Sequence, residues 1–316
     1  NAPACVCQRA AQWRWEPRFC ELGDTAGRHL QERLGRGRPI VFIGDSMGRA
    51  MFRAMLRFLP PSCAESTPPR TGRGVASEIV CSLVPVASFH QNDFLCADCG
   101  QFEFQRPQRV FDKWDSLEGA TVVLNSAMHW HWVALERQLG LNGSREERMA
   151  QRLAIYRANV RDFLRRCVAS AGPNGTVTWR LDWHHWVMQP GPCAGSTGPL
   201  LEAPAVNTTR NTSLPFKFLK YLIMSTEQFK LMRLMEKFNK VGAEECARQS
   251  PACRLLDMRY LSSLRPDSHP RARKRPVDCV QYCQDAFSKP PDSQPDEPTT
   301  TWLRLWLLMH GRTDAG

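Results

Sequence analysis

A serine at a strand-to-helix turn offers the clearest chemistry in this chain. It is Ser46, within Pro39-Ile40-Val41-Phe42-Ile43-Gly44-Asp45-Ser46-Met47-Gly48-Arg49. Ile40 to Ile43 predict a buried strand, Gly44 lets the backbone turn sharply, and Met47, Met51, Ala54, Met55 and Phe58 then recur at helical spacing. A hydroxyl at such a junction lies at the carboxyl end of a strand and the amino end of a helix, where backbone N–H groups can stabilise an oxyanion. Taken alone, these residues fit two roles: a nucleophile, or a cap of the helix. A nucleophile also needs a base to take its proton and a group to orient that base. Polar residues beyond the later strands are where to look for both. They are Asn125, Ser126, His129 and His131 after the second strand, and Asp267, His269 and Asp278 after the last.

The elements that must hold these groups follow from periodicity. Thr121-Val122-Val123-Leu124-Asn125, Val177-Thr178-Trp179-Arg180-Leu181 and Arg254-Leu255-Leu256-Asp257-Met258 predict further short strands. Ser144 with Glu147 predicts a capping box for a long helix, with Met149, Leu153, Tyr156, Val160, Phe163 and Cys167 on one stripe and Gly172-Pro173 just beyond. Ser225 with Gln228 predicts another, opening a helix that carries Phe229, Met232, Leu234, Met235 and Phe238 and stops at Gly242. Strands alternating with helices predict an α/β fold, a mainly parallel sheet with helices on both faces. Such sheets place ligands beyond the carboxyl ends of their strands. Residues 60–108, with Pro60-Pro61, Pro68-Pro69 and the short run Phe102-Glu103-Phe104, read as an irregular β-containing insertion, and 188–215 and 284–298 as further loops. Residues 1–38 hold Cys5, Cys7 and Cys20 around Trp13-Arg14-Trp15-Glu16-Pro17 and read as a cysteine-rich N-terminal lobe on a main domain over 39–316.

Composition narrows the partners. A net charge of +11 asks for something acidic, nucleic acid first. Thirteen cysteines, with sequons at Asn142, Asn174, Asn207 and Asn211, point instead to an oxidising and glycosylating compartment, and so away from nucleic acid. The odd count leaves at least one thiol outside any pair within the chain. Cys96 and Cys99 have no second pair at zinc spacing, so disulfides are expected rather than a metal. His129, His131, His184 and His185 lie on two segments among Trp130, Trp132, Trp183 and Trp186, a pattern of core or sugar-stacking residues rather than of metal ligands. Arg271, Arg273, Lys274 and Arg275 fit a solvated loop, or contact with an acidic glycan. Trp302 to Met309 is too short to cross a bilayer and contains Arg304. The chain begins at Asn1 rather than Met, so a targeting segment, read as a type II membrane anchor, is expected upstream.

Four segments together resemble the trichome-birefringence-like polysaccharide O-acetyltransferases, the PC-esterase branch of the SGNH (GDSL-like) superfamily. They are Trp13-Arg14-Trp15-Glu16-Pro17 with Cys20; Val41 to Ser46 with Arg49; Leu124-Asn125 with His129-Trp130; and Arg265-Pro266-Asp267-Ser268-His269-Pro270 followed by Asp278-Cys279-Val280-Gln281-Tyr282-Cys283. The resemblance implies a three-layer α/β/α SGNH-like fold and a double displacement. Ser46 would take an acetyl group from a donor such as acetyl-CoA or another carrier, with no bound cofactor, and pass it to a polysaccharide hydroxyl. Backbone N–H groups, with Gly44 among them, and Asn125 would stabilise the oxyanions; Arg49, His129 and Trp130 would meet donor or sugar. The family's Asp-x-x-His pair falls on Asp278 and position 281, which here is Gln281. An amide does not take up a proton from a serine near neutral pH, which leaves His269 as the substitute base this segment offers. The alternatives are a carbohydrate esterase with the same serine, or an impaired relative that binds glycan. The expected place of work is the Golgi lumen or the outside of the cell.

Overall fold

The structure, a computed structural model, describes residues 25–35, 37–66, 76–95, 111, 114–131, 133–181, 234–258, 303 and 305–307. By spatial contact the chain divides into two units. Asn1–Glu21, Trp183–Leu234 and Met258–Trp302 form the first, of which only Leu234 and Met258 are among the described residues. Leu22–Asp182, Met235–Asp257 and Leu303–Gly316 form the second, which holds every strand among the described residues.

Its centre is a seven-stranded sheet. The strands are β1 (Ile40–Gly44), β2 (Cys63–Ser66), β3 (Ala76–Cys81), β4 (Val84–Gln91), β5 (Thr121–Leu124), β6 (Thr176–Leu181) and β7 (Cys253–Asp257), in the order β2-β3-β4-β1-β5-β6-β7. The five strands from β4 to β7 run parallel, and β2 and β3 extend one side antiparallel. This is the α/β sheet that the strand-helix alternation predicts, and β1, β5 and β6 fall on the expected runs. The described part of the stretch 60–108 is more regular than its sequence suggests: it supplies β2, β3 and β4, and β4 pairs with β1 itself.

Among the described residues the helices include α1 (Thr25–Gly35), α2 (Ser46–Ala54), α3 (Val133–Gln138), α4 (Arg145–Ala171) and α5 (residues 234–247), with 3-10 turns at Met55–Phe58, Trp114–Leu117 and Met128–His131. Residues 25–35 of the expected N-terminal lobe thus belong to the sheet unit. From β1 the chain moves one way to β4, and from β5 it moves the other way through β6 to β7. Right-handed crossovers then put α2 on one face and α4 and α5 on the other.

Side chains agree with that assignment. Phe89, Phe42, Val123 and Thr178 form one row across the sheet. On this face Phe42 meets Phe52 of α2 and Trp306, whose indole N–H donates to Thr178 Oγ1 at 3.1 Å. On the other face Trp179 lies against α5. The result is three layers, α/β/α, as the resemblance implies.

Local rules explain α4. Ser144 and Glu147 form the reciprocal capping box: Glu147 N–H donates to Ser144 Oγ and Ser144 N–H donates to Glu147 Oε2. Those bonds, the backbone one first, hold the Glu147 carboxyl below its ordinary value. The helix ends at Gly172, whose φ of 64° is the left-handed conformation glycine adopts without strain. Tyr156, Val160, Phe163 and Cys167 from the expected stripe are buried. Arg157 and Arg161 pair with Glu244 and Glu245, fastening α4 to α5.

The structure corrects the reading of Gly242 as a helix stop. α5 continues to residue 247, because what requires glycine there is Trp179: a Cβ at 242 would strike its indole ring. Gly242→Ala is therefore expected to lower stability by about 1–3 kcal/mol through overpacking, although alanine favours helix by about 1 kcal/mol. Equilibrium urea unfolding measures it, and a stabilised variant would contradict the contact. The expected helix start at Ser225 and Gln228 lies outside the described residues.

Two disulfides are present among the described residues. Cys63–Cys81 joins directly paired positions of β2 and β3, and Cys246–Cys253 ties the end of α5 to the start of β7. Cys167 is unpaired, as the odd count requires of some cysteine. Its burial pushes the thiol well above the usual range and leaves it protonated.

Candidate active site

The strand order reverses at β1, which has β4 on one side and β5 on the other, all parallel. In open α/β sheets the crevice beyond such a reversal is the ligand site, and Ser46 sits there, two residues past the end of β1.

Asp45, not Ser46, caps α2. Asp45 has extended φ and ψ, and its Oδ1 accepts from Met47 N–H at 2.9 Å. Ser46 is the first helical residue, half-buried. Of the two roles that sequence left open for the serine, capping is already filled by its neighbour.

The same Asp45 oxygen accepts from Asn125 Nδ2 at 2.5 Å. Asp45 is wholly buried and Asn125 1% exposed, so this bond is shielded from water. Asn125 follows β5, whose Leu124 is level with Ile43 of β1, and its backbone N–H donates to the Ile43 carbonyl. Two glycines admit its side chain: a Cβ at Gly44 or at Gly48 would collide with the Asn125 amide oxygen, and at Gly44 also with its backbone carbonyl. Asn125 thus rests on the turn that carries Ser46. Gly44, the last residue of β1, accepts Asn92 N–H on its carbonyl at 2.8 Å. Buried Arg180 of β6 donates to the Met47 carbonyl, fixing the first turn of α2 from two strands beyond β1.

Arg49 lies one helical turn past Ser46 and reaches toward the β2–β3 side of the sheet, where Glu65 Oε1 is 3.6 Å and Ser77 Oγ 3.5 Å from its Nη2. Arg53, the next turn on, binds the same Glu65 at 2.8 Å. An arginine already engaged by a carboxylate is a weaker anion site than its position in sequence suggests, although its side chain keeps partial exposure.

His129 and Trp130 part company. Trp130 is 1% exposed and surrounded by the rings of Phe94, Tyr156 and Phe238, so it is core rather than a sugar platform. Its backbone carbonyl accepts from buried Arg152, which is also paired with Glu136; burial lowers the Arg152 pKa from its high ordinary value without discharging it at neutral pH. His129 stays partly accessible and faces Asp93, with 3.7 Å between Nε2 and Oδ1. Asp93 also accepts from Gln91 Nε2 at 3.2 Å, and its carbonyl from Ser126 Oγ at 3.1 Å.

Asp45, Gly48, Asp93 and Arg180 were not singled out by sequence reasoning. Asp45 carried a signal, as an N-cap residue type directly before the helix. Asp93 was hidden because β4, the strand it follows, was read as part of an irregular insertion. Asp278, His269 and Gln281 lie outside the described residues, as do Cys96, Cys99, Trp132, Trp183, His184 and His185. Among the described residues no group of three or more His, Cys, Asp or Glu side chains is arranged to hold a metal ion, and no helix is long and apolar enough to cross a membrane.

No family model matches the chain. Among curated proteins it is similar to protein trichome birefringence-like 43 of Arabidopsis thaliana, 22% identical over 307 residues that take in 89% of this chain and 74% of that protein. A shorter stretch of 48 residues, 15% of this chain and 10% of the relative, is 40% identical to probable xylan O-acetyltransferase 9 of Oryza sativa subsp. japonica. Protein trichome birefringence of Arabidopsis thaliana matches over 61 residues at 38% identity, covering 19% of this chain and 10% of that protein. The chain is thus similar to trichome-birefringence proteins and to a probable xylan O-acetyltransferase, in line with the resemblance carried by its four motif segments.

Proposed function

We propose that the protein is a polysaccharide O-acetyltransferase that works through an acetyl ester on Ser46. The observation that carries this reading is the division of labour at the β1–α2 turn. Asp45 caps the helix, so the Ser46 hydroxyl is not needed for that and stands at the reversal point of the sheet. In the first step Ser46 Oγ attacks the donor's acetyl carbonyl, and its proton passes by way of a base to the leaving group as the bond to the donor breaks. In the second step a sugar hydroxyl attacks the ester, the new ester bond forms on the sugar as the bond from Ser46 Oγ to the acetyl carbon breaks, and the hydroxyl's proton passes by way of the base to Ser46 Oγ. The oxyanion in each step is stabilised by N–H groups at the start of α2 and by Asn125, which Asp45 holds against the turn.

The name of the rice relative, a xylan O-acetyltransferase, supports a polysaccharide acceptor. The net charge of +11 favours an acidic one. Acetyl-CoA or another acetyl carrier serves as donor, and no cofactor stays bound.

A fluorophosphonate probe followed by peptide mass analysis tests the nucleophile. The expected result is a single adduct on Ser46 that prior incubation with an activated acetyl ester blocks; folded protein that does not label would overturn the proposal. Offering xylan oligosaccharides to the acetylated enzyme then separates transfer from hydrolysis, since an esterase would release only acetate.

The same reading puts the work in the Golgi lumen. The sequon residues Asn142 and Asn174 are both exposed, as glycosylation requires. The protein made in secretory cells is expected to shift on treatment with an N-glycosidase, and lack of a shift would count against this compartment.

A further inference from the structure

We propose that His129 and Asp93 form the acid–base pair that serves Ser46, in place of the histidine missing at position 281. This rests on the acyltransferase reading above and names the base that reading needs. Asp93 follows β4 and His129 follows β5, and β1 lies between those strands. Neighbouring strands are about 4.8 Å apart, so β4 and β5 stand roughly 10 Å from each other. Side chains from beyond the two ends that come within 3.7 Å therefore bridge the width of β1, the strand whose end carries Gly44 into Asp45 and Ser46. Three hydrogen bonds hold that edge together: Asn92 N–H to the Gly44 carbonyl, Asn125 N–H to the Ile43 carbonyl, and the Ser126 hydroxyl to the Asp93 carbonyl.

The pair also has the parts a catalytic histidine needs. A carboxylate faces one ring nitrogen, Nε2. The ring is further placed by an edge contact with Phe94, 6.1 Å between centroids, and by its neighbour Trp130, which Arg152 fixes from α4. A histidine oriented by a carboxylate is the arrangement that takes a proton from a serine and returns it to the leaving group, while the carboxylate remains ionised. With Nε2 turned to Asp93, Nδ1 is the nitrogen that carries the proton. It takes it from Ser46 Oγ as the Oγ–carbon bond forms, and gives it to the donor oxygen or sulfur as that bond breaks. In the second half-reaction the sugar hydroxyl is the proton source and Ser46 Oγ the recipient. His129 is the catalytic residue here and Asp93 a positioning residue.

The test follows acetylation of Ser46 by p-nitrophenyl acetate in wild type, His129→Ala, His129→Asn, Asp93→Asn, His269→Ala and Ser46→Ala. His129→Ala is expected to slow acetylation by roughly 10²–10⁴-fold, and added imidazole to restore a substantial part of the rate, which a merely structural histidine would not permit. His129→Asn keeps a polar group of similar reach and should be equally slow if folded, which near-UV circular dichroism reports. Asp93→Asn should slow the reaction less, and His269→Ala should slow it less than His129→Ala and without rescue by imidazole. Wild-type rates in His129→Ala or His129→Asn, or a folded but slow His129→Ala that imidazole fails to rescue, would overturn this pair while leaving Ser46 as nucleophile. Imidazole rescue of His269→Ala instead would assign the base to His269. If wild type itself is not acetylated at Ser46, the acyltransferase reading fails and this inference with it.

Discussion

Ser46→Ala is expected to abolish the acyl-enzyme and to lower acetyl transfer by roughly 10³–10⁶-fold, the range found when an activated serine is removed from a hydrolytic site. The fold should hardly notice. Asp45 supplies the helix cap, so removing the Ser46 hydroxyl leaves Met47 N–H bonded as before. Alanine is also the better helix former. The stability change is thus expected to stay within about 0.5 kcal/mol, against about 1 kcal/mol for loss of a true cap. Thermal unfolding beside intact-mass detection of the acetyl ester separates the two readings. A marked loss of stability with normal transfer would restore the capping role to Ser46 and remove its chemistry.

The second large effect concerns the two glycines under Asn125, whose substitutions should fail differently. Gly44→Ala drives a methyl into the backbone carbonyl of Asn125 as well as its side chain. A backbone clash between adjacent strands has no cheap relief, so a loss of about 1–3 kcal/mol is expected, and activity falls with it. Gly48→Ala meets the side-chain oxygen of Asn125 and only ordinary contact with Phe89. The gain from alanine in a helix, about 1 kcal/mol, offsets much of the strain. Stability should change little, yet the amide must leave the position in which Asp45 holds it. If Asn125 is an oxyanion donor, transfer should fall by about 10²–10³-fold, with the loss in kcat rather than in KM. Measuring both variants by urea unfolding and by acetyl transfer decides the matter; a fully active Gly48→Ala would remove Asn125 from the oxyanion site.

Composition also set limits that the fold leaves in place. Thirteen cysteines and four sequons pointed to disulfides, and two are formed among the described residues, one of them stitching the edge strands β2 and β3. That edge is also where Arg49 and Arg53 are tied down by Glu65. The basic character near Ser46 is therefore partly spent within the protein.

What the sequence determined by itself is local. Ile40 to Gly44 form a strand because four apolar residues end on a glycine, α4 starts at Ser144 because its capping box is complete within four residues, and Cys167 is buried because it lies on the stripe of Tyr156, Val160 and Phe163. Each depends on contacts a few residues apart, which periodicity and residue type encode directly. What the tertiary structure decided is which distant residues meet. β4 carries Pro85, His90 and Gln91 and shows no clean alternation, yet it pairs with β1 and brings Asp93 to the carboxyl edge. Gly242 looks like a helix stop, but Trp179, 63 positions earlier in the chain, makes it a packing residue inside one. Asp45 and Asn125, 80 residues apart, bond because β1 and β5 are neighbours in the sheet. Strand order rests on long-range burial, which no short stretch records. The sequence therefore pointed to Ser46, and only the sheet showed that Asn125 is held by Asp45 against its turn and that a histidine and a carboxylate face each other beyond the strands on either side of β1.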